Sequence, residues 1–320
     1  DRAEPLLAKM TREPVAAASI GQVHRSTLPS GEQVAVKVQY PGIDKAIAAD
    51  FRAAGAGTHF IQLLAPGAGV PGVLREARAA LLEECDYQRE ARYQDRFAQV
   101  YAGHPTLWVP PTYGEYGSRR VLTTRWVDGL RLEAFIATQP SQDQRDRVGR
   151  ALFEFYVGTL FRHRLYNWDP HPGNYLFLSD GKLAMLDYGS TRDFDAAFVK
   201  KLAALTLAVH ADRPSVLHAA LADLAMVSDF GDYDYETARS LVRSFFGPML
   251  KDDVVAVQRG EARPLKDVMA SKRQLLKLHL PAQIVFILRI RYGLMAVLAQ
   301  LGARANWYQM ERSWAEHAVS

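Results

Sequence analysis

Two carboxylates and an amide in the second half of the chain have the spacing of a phosphoryl-transfer site. Asp169 opens the segment Asp-Pro-His-Pro-Gly-Asn, Asn174 closes it, and Asp187 follows within Leu-Asp-Tyr-Gly. In such a set one carboxylate, here Asp169, accepts the proton of the attacking hydroxyl. Asn174 and Asp187 offer the hard oxygen ligands that Mg²⁺ prefers. An Asp-Pro turn or a glycine-ended hairpin is common alone, so the prediction rests on both occurring together.

A lysine in the first half adds an independent match. Val34-Ala35-Val36-Lys37 has the pattern of the kinase strand whose lysine contacts the α- and β-phosphates. An isolated strand lysine is more often simply exposed, but this one follows a run of small residues where kinases carry glycines. That run begins with Ala16, Ala17, Ala18 and Ser19. Alanine resists positive φ, so we expect this nucleotide loop to be stiffer than a glycine-rich one.

An acidic segment offers a partner for the lysine. Residues 83–90 read Glu-Glu-Cys-Asp-Tyr-Gln-Arg-Glu, which as a helix places several acids on one face. A solvated charged face is the ordinary interpretation of such a segment. A lysine that contacts phosphate also needs a carboxylate to hold it, and we choose Glu90 as the partner of Lys37.

The elements that must position these residues fall into two groups. In the first half the patterns predict a strand–loop–strand over Pro14–Tyr40, a short helix near Thr58–Leu64, a long helix over Val73–Tyr101, and strands over Leu107–Tyr116 and Arg120–Trp126. In the second half they predict a helix over 144–163, strands over Asn174–Leu178 and Lys182–Leu186, and helices from Phe194 to Ala318 broken at Pro214, Pro248, Pro264 and Pro281.

This order predicts an α+β, two-lobed fold like that of protein kinases. We expect a small β-rich N-lobe with a long helix over residues 1–126 and a larger, mostly helical C-lobe over residues 127–320. A hinge is expected near residues 125–129, and we assign Trp126 and Val127 to the nucleotide site. The nucleotide is expected between the lobes.

Composition excludes several classes of protein. Lys and Arg number 39 against 35 Asp and Glu, so a net charge of +4 on 320 residues does not indicate a nucleic-acid partner. The only cysteine, Cys85, excludes an intramolecular disulfide and a cysteine zinc cluster. The most apolar stretch, Val285–Leu301, is interrupted by Arg289 and Arg291, which argues against a membrane span. We expect a cytoplasmic protein.

At this point the motifs resemble those of the UbiB family of atypical kinases, the AarF-domain kinases linked to ubiquinone biosynthesis. The resemblance covers roughly residues 10–320 and is carried by Ala16–His24, Lys37 with Gln39–Gly42, Glu84–Tyr87 with Glu90-Ala91, Asp169–Asn174 and Leu186–Gly189. It implies ATP or ADP binding with Mg²⁺ or Mn²⁺, ATPase activity, and a role in isoprenoid-quinone synthesis. Peripheral membrane contact and a lipid or quinone-precursor partner also follow from it.

The resemblance assigns a role to each matching residue. Ala16–Ser19 would be the alanine-rich nucleotide loop, which the family associates with unusual nucleotide selectivity. Lys37 would contact phosphate with Glu90 as its partner, and Glu84 and Asp86 would form the family's Glu-x-Asp acidic motif. Asp169, Asn174 and Asp187 would be the catalytic and metal-binding residues.

The chain also departs from the family pattern. Residues 1–15 contain no Lys-x-Gly-Gln motif, so autoinhibition by that element is not inferred. Asn167-Trp168 stands where the family usually has His-Ala, and Tyr188 stands in place of the usual phenylalanine.

The sequence after Asp187 bears on the substrate. It contains no Ala-Pro-Glu segment and reads as helix by Phe194, so the loop on which protein kinases dock peptides is absent from the pattern. We therefore expect ATP hydrolysis or phosphorylation of a small molecule or lipid. Two alternatives stay open: a nucleotide-binding regulatory or scaffold pseudokinase without turnover, and a phosphotransferase of the aminoglycoside-kinase kind, which the alanine loop disfavours.

Overall fold

The computed structural model describes residues 4–51, 78, 79, 81–227, 233–258 and 281–320. The chain divides into two compact units: unit 1 comprises Asp1–Gly129 with Ala184–Thr191, and unit 2 comprises Leu130–Leu183 with Arg192–Ser320. Asp187 thus belongs with unit 1, whereas the sequence prediction grouped it with the second lobe. The reason is that Asp187 and the turn after it contact the strand lysine and the acidic helix of unit 1.

The strands are β1 (Ala16–Ala18), β2 (Gly21–Thr27), β3 (Gln33–Gln39), β4 (Leu107–Trp108), β5 (Val121–Arg125), β6 (Leu165–Asn167), β7 (Tyr175–Phe177), β8 (Leu183–Met185), β9 (Thr191–Asp193), β10 (Val255–Ala256) and β11 (Arg304–Ala305). The helices are α1 (Glu4–Ala8), α2 (Tyr87–Val100), α3 (Leu132–Ala137), α4 (Gln142–Phe153), α5 (Thr159–His163), α6 (Ala196–Ala211), α7 (Pro214–Asp223), α8 (Tyr235–Ser244), α9 (Ala282–Leu301) and α10 (Trp307–Val319). Residues 43–51 and 81–84 are also helical.

Unit 1 is built on an antiparallel sheet with the strand order β1-β2-β3-β5. Its register places Val23 opposite Lys37 and Val36 opposite Thr123. Val34 and Val36 are fully buried, because the alternation of β3 turns them toward Leu6 and Leu28 on one face of the sheet. Lys37, the next residue along, therefore projects from the other face.

The long helix predicted over Val73–Tyr101 is interrupted within the described residues. Residues 81–84 are helical, Cys85 and Asp86 are not, and α2 then begins at Tyr87. The break has a local cause: the Asp86 side chain accepts hydrogen bonds from the backbone N–H groups of Gln88 and Arg89, as an N-cap residue does. The short helix predicted near Thr58–Leu64 lies outside the described residues.

The strand predicted over Leu107–Tyr116 is wrong beyond its first two residues. Only Leu107–Trp108 is strand, and Gly114–Tyr116 forms a 3₁₀ turn. Pro110 and Pro111 have no backbone N–H, so the chain cannot continue a strand ladder through them. The second predicted strand is present as β5.

Unit 2 is mostly helical, and its first long helix carries a local distortion. α4 starts in a capping box between Ser141 and Gln144. A wider π-type turn over Glu154–Gly158 follows before α5, so the predicted helix over 144–163 is present but not regular. The Thr159 hydroxyl donates to the Phe155 carbonyl within this turn.

The C-terminal helices begin largely where the prolines predicted a break. Pro214 is the first residue of α7, and Pro281 directly precedes α9. Pro248 lies in a 3₁₀ turn, and Pro264 is outside the described residues. Among the helices that the structure describes, none is long and apolar enough to cross a bilayer. α9 and α10 are joined by the buried ion pair between Arg291 and Glu311.

Candidate active site

Lys37 sits in a cluster of charges within unit 1. Its Nζ donates to Glu90 Oε1 at 2.8 Å and to Glu90 Oε2 at 3.0 Å, and it lies 3.4 Å from Asp187 Oδ2. The ammonium also lies 5.0 Å from the ring centre of Tyr87. The structure thus brings together the strand lysine, the carboxylate chosen as its partner and the aspartate of the Asp-Tyr-Gly segment.

The charges in this cluster do not balance. Burial alone would lower the pKa of Lys37, but Asp187 and Glu90 outweigh it and hold that pKa well above its ordinary value. Burial raises the pKa of Glu90 to about 7, opposed by Lys37 and reinforced by Asp187. Two carboxylates therefore share one ammonium. A further cation at the more exposed of the two, Asp187, would relieve their repulsion.

The Asp187 carboxylate is held by its own turn. Its Oδ1 accepts a hydrogen bond from the backbone N–H of Gly189 at 2.9 Å, and the residue is 32% exposed. The next residue, Tyr188, is fully buried, packs 5.1 Å from the ring of Phe97 on α2, and donates its hydroxyl to Met185 O. A Cβ at Gly189 would lie 3.3 Å from Glu90 Oε2 and 3.4 Å from Asp187 Oδ1, so a larger residue here would press on both carboxylates.

The alanine-rich segment is a tight hairpin rather than an open loop. Ala16–Ala18 form β1 and pair with β2, with Ala18 opposite Gly21, so Ser19 lies in the turn. None of the residues 16–20 has a positive φ, as expected of alanine. Gly21 is required by close packing, because a Cβ there would lie 2.2 Å from Val38 O. Ala17 and Ser19 are exposed, and Ala16 and Ala18 are half-buried.

Trp126 and Val127 follow β5 directly. The backbone N–H of Trp126 donates to Gln33 O at 2.9 Å, and its indole Nε1 donates to Asp128 Oδ1 at 2.8 Å. The guanidinium of Arg25 lies 4.7 Å from the indole ring centre. Val127 is half-buried. These contacts fix the indole against the strands, and its role in holding a nucleotide stays a prediction.

The two residues of the acidic motif make different contacts. Asp86 is the N-cap of α2, and Glu84 accepts a hydrogen bond from the Ser190 hydroxyl at 3.1 Å. Asp86 therefore stabilises the start of the helix that carries Glu90, and Glu84 stabilises the segment that follows Asp187.

In unit 2 the structure brings Asp169 and Asn174 into direct contact. Asn174 Nδ2 donates to Asp169 Oδ2 at 2.8 Å and to Asp169 O at 3.1 Å. Asn167, one of the departures from the family pattern, accepts from the Asp169 backbone N–H through its Oδ1. His171 has a structural role, because its Nδ1 accepts from the Gly173 N–H within the loop.

Three supports of this loop were missed by the sequence prediction. The Tyr156 hydroxyl, from the π-type turn, donates to Asp169 O at 3.2 Å. Arg131 donates to Gly173 O. Pro170 packs against α9 where a Cβ on Gly293 would lie 2.5 Å from Pro170 Cγ. A glycine inside a helix pattern was a usable signal for the last of these, since it usually marks close packing.

The donor chemistry fits a magnesium ion that shares its coordination with a phosphate. Among the described residues no group of three or more His, Cys, Asp and Glu side chains could hold a metal by itself. Magnesium commonly takes one or two protein oxygens and completes its shell with phosphate and water. The Asp187 carboxylate is an oxygen of this kind in unit 1. In unit 2, Asn174 Oδ1 is another, and the amide nitrogen of that residue is hydrogen-bonded to Asp169.

Comparison with known proteins gives consistent matches. A family model described as the ABC1 atypical kinase-like domain matches residues 1–220. The chain is 31% identical over 234 residues to the mitochondrial atypical kinase COQ8B of Danio rerio, covering 72% of this chain and 37% of that protein. It is 32% identical over 194 residues to the mitochondrial atypical kinase COQ8 of Saccharomyces cerevisiae, covering 60% of this chain and 38% of that protein. The chain thus spans less than two fifths of either kinase.

A solved structure matches over nearly the whole chain. The complex of Rv3197 with erythromycin from Mycobacterium tuberculosis has a TM-score of 0.74 and 27% sequence identity, and the match covers 96% of this chain and 77% of that one. This similarity confirms the predicted kinase-like fold class.

Proposed function

We propose that this chain, which belongs to the ABC1 family of atypical kinase-like proteins, binds Mg-ATP or Mg-ADP and either hydrolyses ATP or transfers its γ-phosphoryl group to a small molecule or lipid. The observation that carries the proposal is the cluster of Lys37, Glu90 and Asp187 in unit 1. A lysine held by one buried carboxylate and placed beside a second, more exposed one is arranged to bind phosphate next to a metal.

Each chemical group has a part in the proposed reaction. Lys37 binds phosphate oxygens, and Glu90 keeps its ammonium in place. Asp187 and Asn174 would be the residues that hold Mg²⁺, and the ion would supply positive charge to the phosphate oxygens. Asp169 orients the attacking water or hydroxyl and accepts its proton while that oxygen bonds to the γ-phosphorus and the bond to the β-phosphate oxygen breaks. Asn174, bonded to Asp169, keeps the carboxylate directed.

The segment after Asp187 supports a small acceptor. Thr191–Asp193 is a short strand and α6 starts at Ala196, so few residues are available for a peptide-docking loop. Family membership supports the further proposal that the reaction serves isoprenoid-quinone synthesis, with a quinone precursor or lipid as partner and peripheral contact with a membrane.

A second candidate is a nucleotide-binding regulatory module without turnover. The alanine hairpin favours it, because Ala16–Ala18 are tied into the sheet as strand β1. Such a hairpin offers phosphate fewer approachable backbone N–H groups than a glycine-rich loop does.

Phosphate release from Mg-ATP by the purified chain tests the proposal. Asp169→Asn and Asp187→Asn are the site variants, and Asp253→Asn makes the same change at an exposed residue as a control. Anionic vesicles and a phenol resembling a quinone precursor are added in separate arms. We expect release that both site variants lose and the control keeps. No release, with Mg-ADP still raising the melting temperature, would favour the regulatory module. Neither release nor nucleotide-dependent stabilisation would refute both.

A further inference from the structure

Arg89 lies beside Glu90 on α2 and makes contacts that the proposed reaction does not use. Its Nη2 donates to the backbone carbonyl of Thr191 at 2.6 Å, and its Nη1 to that of Gly189 at 3.4 Å. The same guanidinium pairs with Glu83 at 3.0 Å and lies 4.8 Å from the ring centre of Tyr93. The side chain is only 17% exposed, so this is a packed arrangement rather than a surface contact.

The two carbonyls belong to the turn that aims Asp187. Asp187 Oδ1 is bonded to the Gly189 N–H, so a shift of the Gly189 peptide moves the carboxylate as well. Helix α2 holds the same turn at two further points: Phe97 packs on Tyr188, and a backbone hydrogen bond joins Tyr188 to the Glu90 carboxylate. Without Arg89, those contacts would still hold residue 188, whereas the hydrogen bonds to the Gly189 and Thr191 carbonyls would be lost.

A guanidinium suits this position better than other side chains. Its planar fork presents several N–H donors at once, so it can bond two carbonyls and a carboxylate together. Contacts with Glu83 and Tyr93 fix the orientation of the Arg89 guanidinium. Its remaining N–H donors then point at the turn that contains Gly189.

We propose that Arg89 is a positioning residue for the metal-binding carboxylate: it holds the Gly189 and Thr191 carbonyls so that Asp187 is directed toward Mg²⁺ before nucleotide binds. The inference rests on the proposed nucleotide function. It separates two properties of the site, because the hydrogen bonds between Lys37 and Glu90 do not include Arg89. Loss of Arg89 should weaken the response to Mg²⁺ and leave Mg-free contact with phosphate unchanged.

Binding of a fluorescent ADP analogue, titrated with Mg²⁺ and repeated in EDTA, tests the proposal. Arg89→Met is the main variant and Arg89→Lys the conservative one, which can reach one carbonyl. Arg92→Met removes the same side chain from an exposed position on the same helix. We expect the half-saturating Mg²⁺ concentration to rise about 10- to 100-fold in Arg89→Met, the range for loss of an outer-shell partner. Arg89→Lys should fall between, Arg92→Met should match the wild type, and affinity in EDTA should not change.

Amide hydrogen exchange of the metal-free protein gives a second readout. Exchange over residues 189–191 should accelerate in Arg89→Met and not in Arg92→Met. An unchanged Mg²⁺ requirement in a folded Arg89→Met protein, or an equal loss of affinity with and without Mg²⁺, would overturn the inference. If Arg89→Met does not fold, Arg89→Lys decides by the same criteria. A wild-type protein that binds no Mg-ADP overturns the proposed function instead, and the exchange rates then decide alone whether Arg89 holds the turn.

Discussion

Gly293→Ala should lower the rate of catalysis much more than the stability of the fold, because Gly293 is where α9 supports the Asp169 loop. An added Cβ would lie 2.5 Å from Pro170 Cγ, whereas carbon atoms in contact sit at about 3.5 Å or more. One side must therefore move by about 1 Å. α9 is anchored by the fully buried Ile290 and Leu294 and by the Arg291 ion pair, so the movement should fall on the loop.

The expected magnitudes follow from two opposed effects. Alanine is better than glycine inside a helix by about 1 kcal/mol, while overpacking costs about 1–3 kcal/mol, so the free energy of unfolding should fall by no more than about 2 kcal/mol. A displacement of about 1 Å at a catalytic group can cost about 100-fold in rate. We therefore expect kcat for Mg-ATP hydrolysis to fall about 100-fold in a protein that remains folded.

Two controls make this prediction specific. Gly149→Ala is equally tight, with its Cβ 2.3 Å from Ala303 Cβ, but does not touch the Asp169 loop, so it should cost stability and leave kcat of the folded protein unchanged. In a Pro170→Ala background the clashing Cγ is absent, and Gly293→Ala should then cost no further activity. The reasoning is refuted if Gly293→Ala folds and keeps kcat within about twofold, or if its cost persists in the Pro170→Ala protein.

Three further outcomes are expected. Arg291→Met leaves the fully buried Glu311 carboxylate without its partner and should lower the free energy of unfolding in urea by about 3–5 kcal/mol; a loss below about 1 kcal/mol would contradict this. Burial, with nearby arginines, lowers the pKa of His210 to about 4, so the fold should lose about 2 kcal/mol as pH falls from about 7.5 to 5 and the unfolded imidazole protonates. Melting curves at these two pH values should differ less for His210→Phe than for the wild type, and an equal difference would exclude His210 as the cause. Asp86→Asn should keep the wild-type melting temperature because asparagine caps helices equally well, whereas Asp86→Ala should lose about 1 kcal/mol; a lower nucleotide affinity in a stable Asp86→Asn protein would show a role beyond capping.

The part of the fold that local patterns could predict is the part that local physics determines. The alternating, β-branched pattern of Val34–Val38 indicated the strand, and in the structure the same alternation places Lys37 on the face opposite Val34 and Val36. Helical spacing placed Glu90 on an acidic face, and the structure has it against Lys37. The break at Cys85-Asp86 was missed because apolar spacing continues across it, although Asp86 is a common N-cap residue type.

The supports of the site were harder to predict than its chemical groups, and the reason is physical. Magnesium prefers hard oxygen ligands, and phosphate needs cationic or hydrogen-bond-donating groups, so chemistry restricts the residue types of the site and its motif can be read from the sequence. Supports such as Tyr156 and Arg131 donate to backbone carbonyls, and because every residue carries a carbonyl, the sequence does not mark which residue is the partner. Gly293 still left a trace, since glycine inside a helix needs a reason. Arg89 left none, because its partners Gly189 and Thr191 lie about a hundred residues away and contribute only carbonyls.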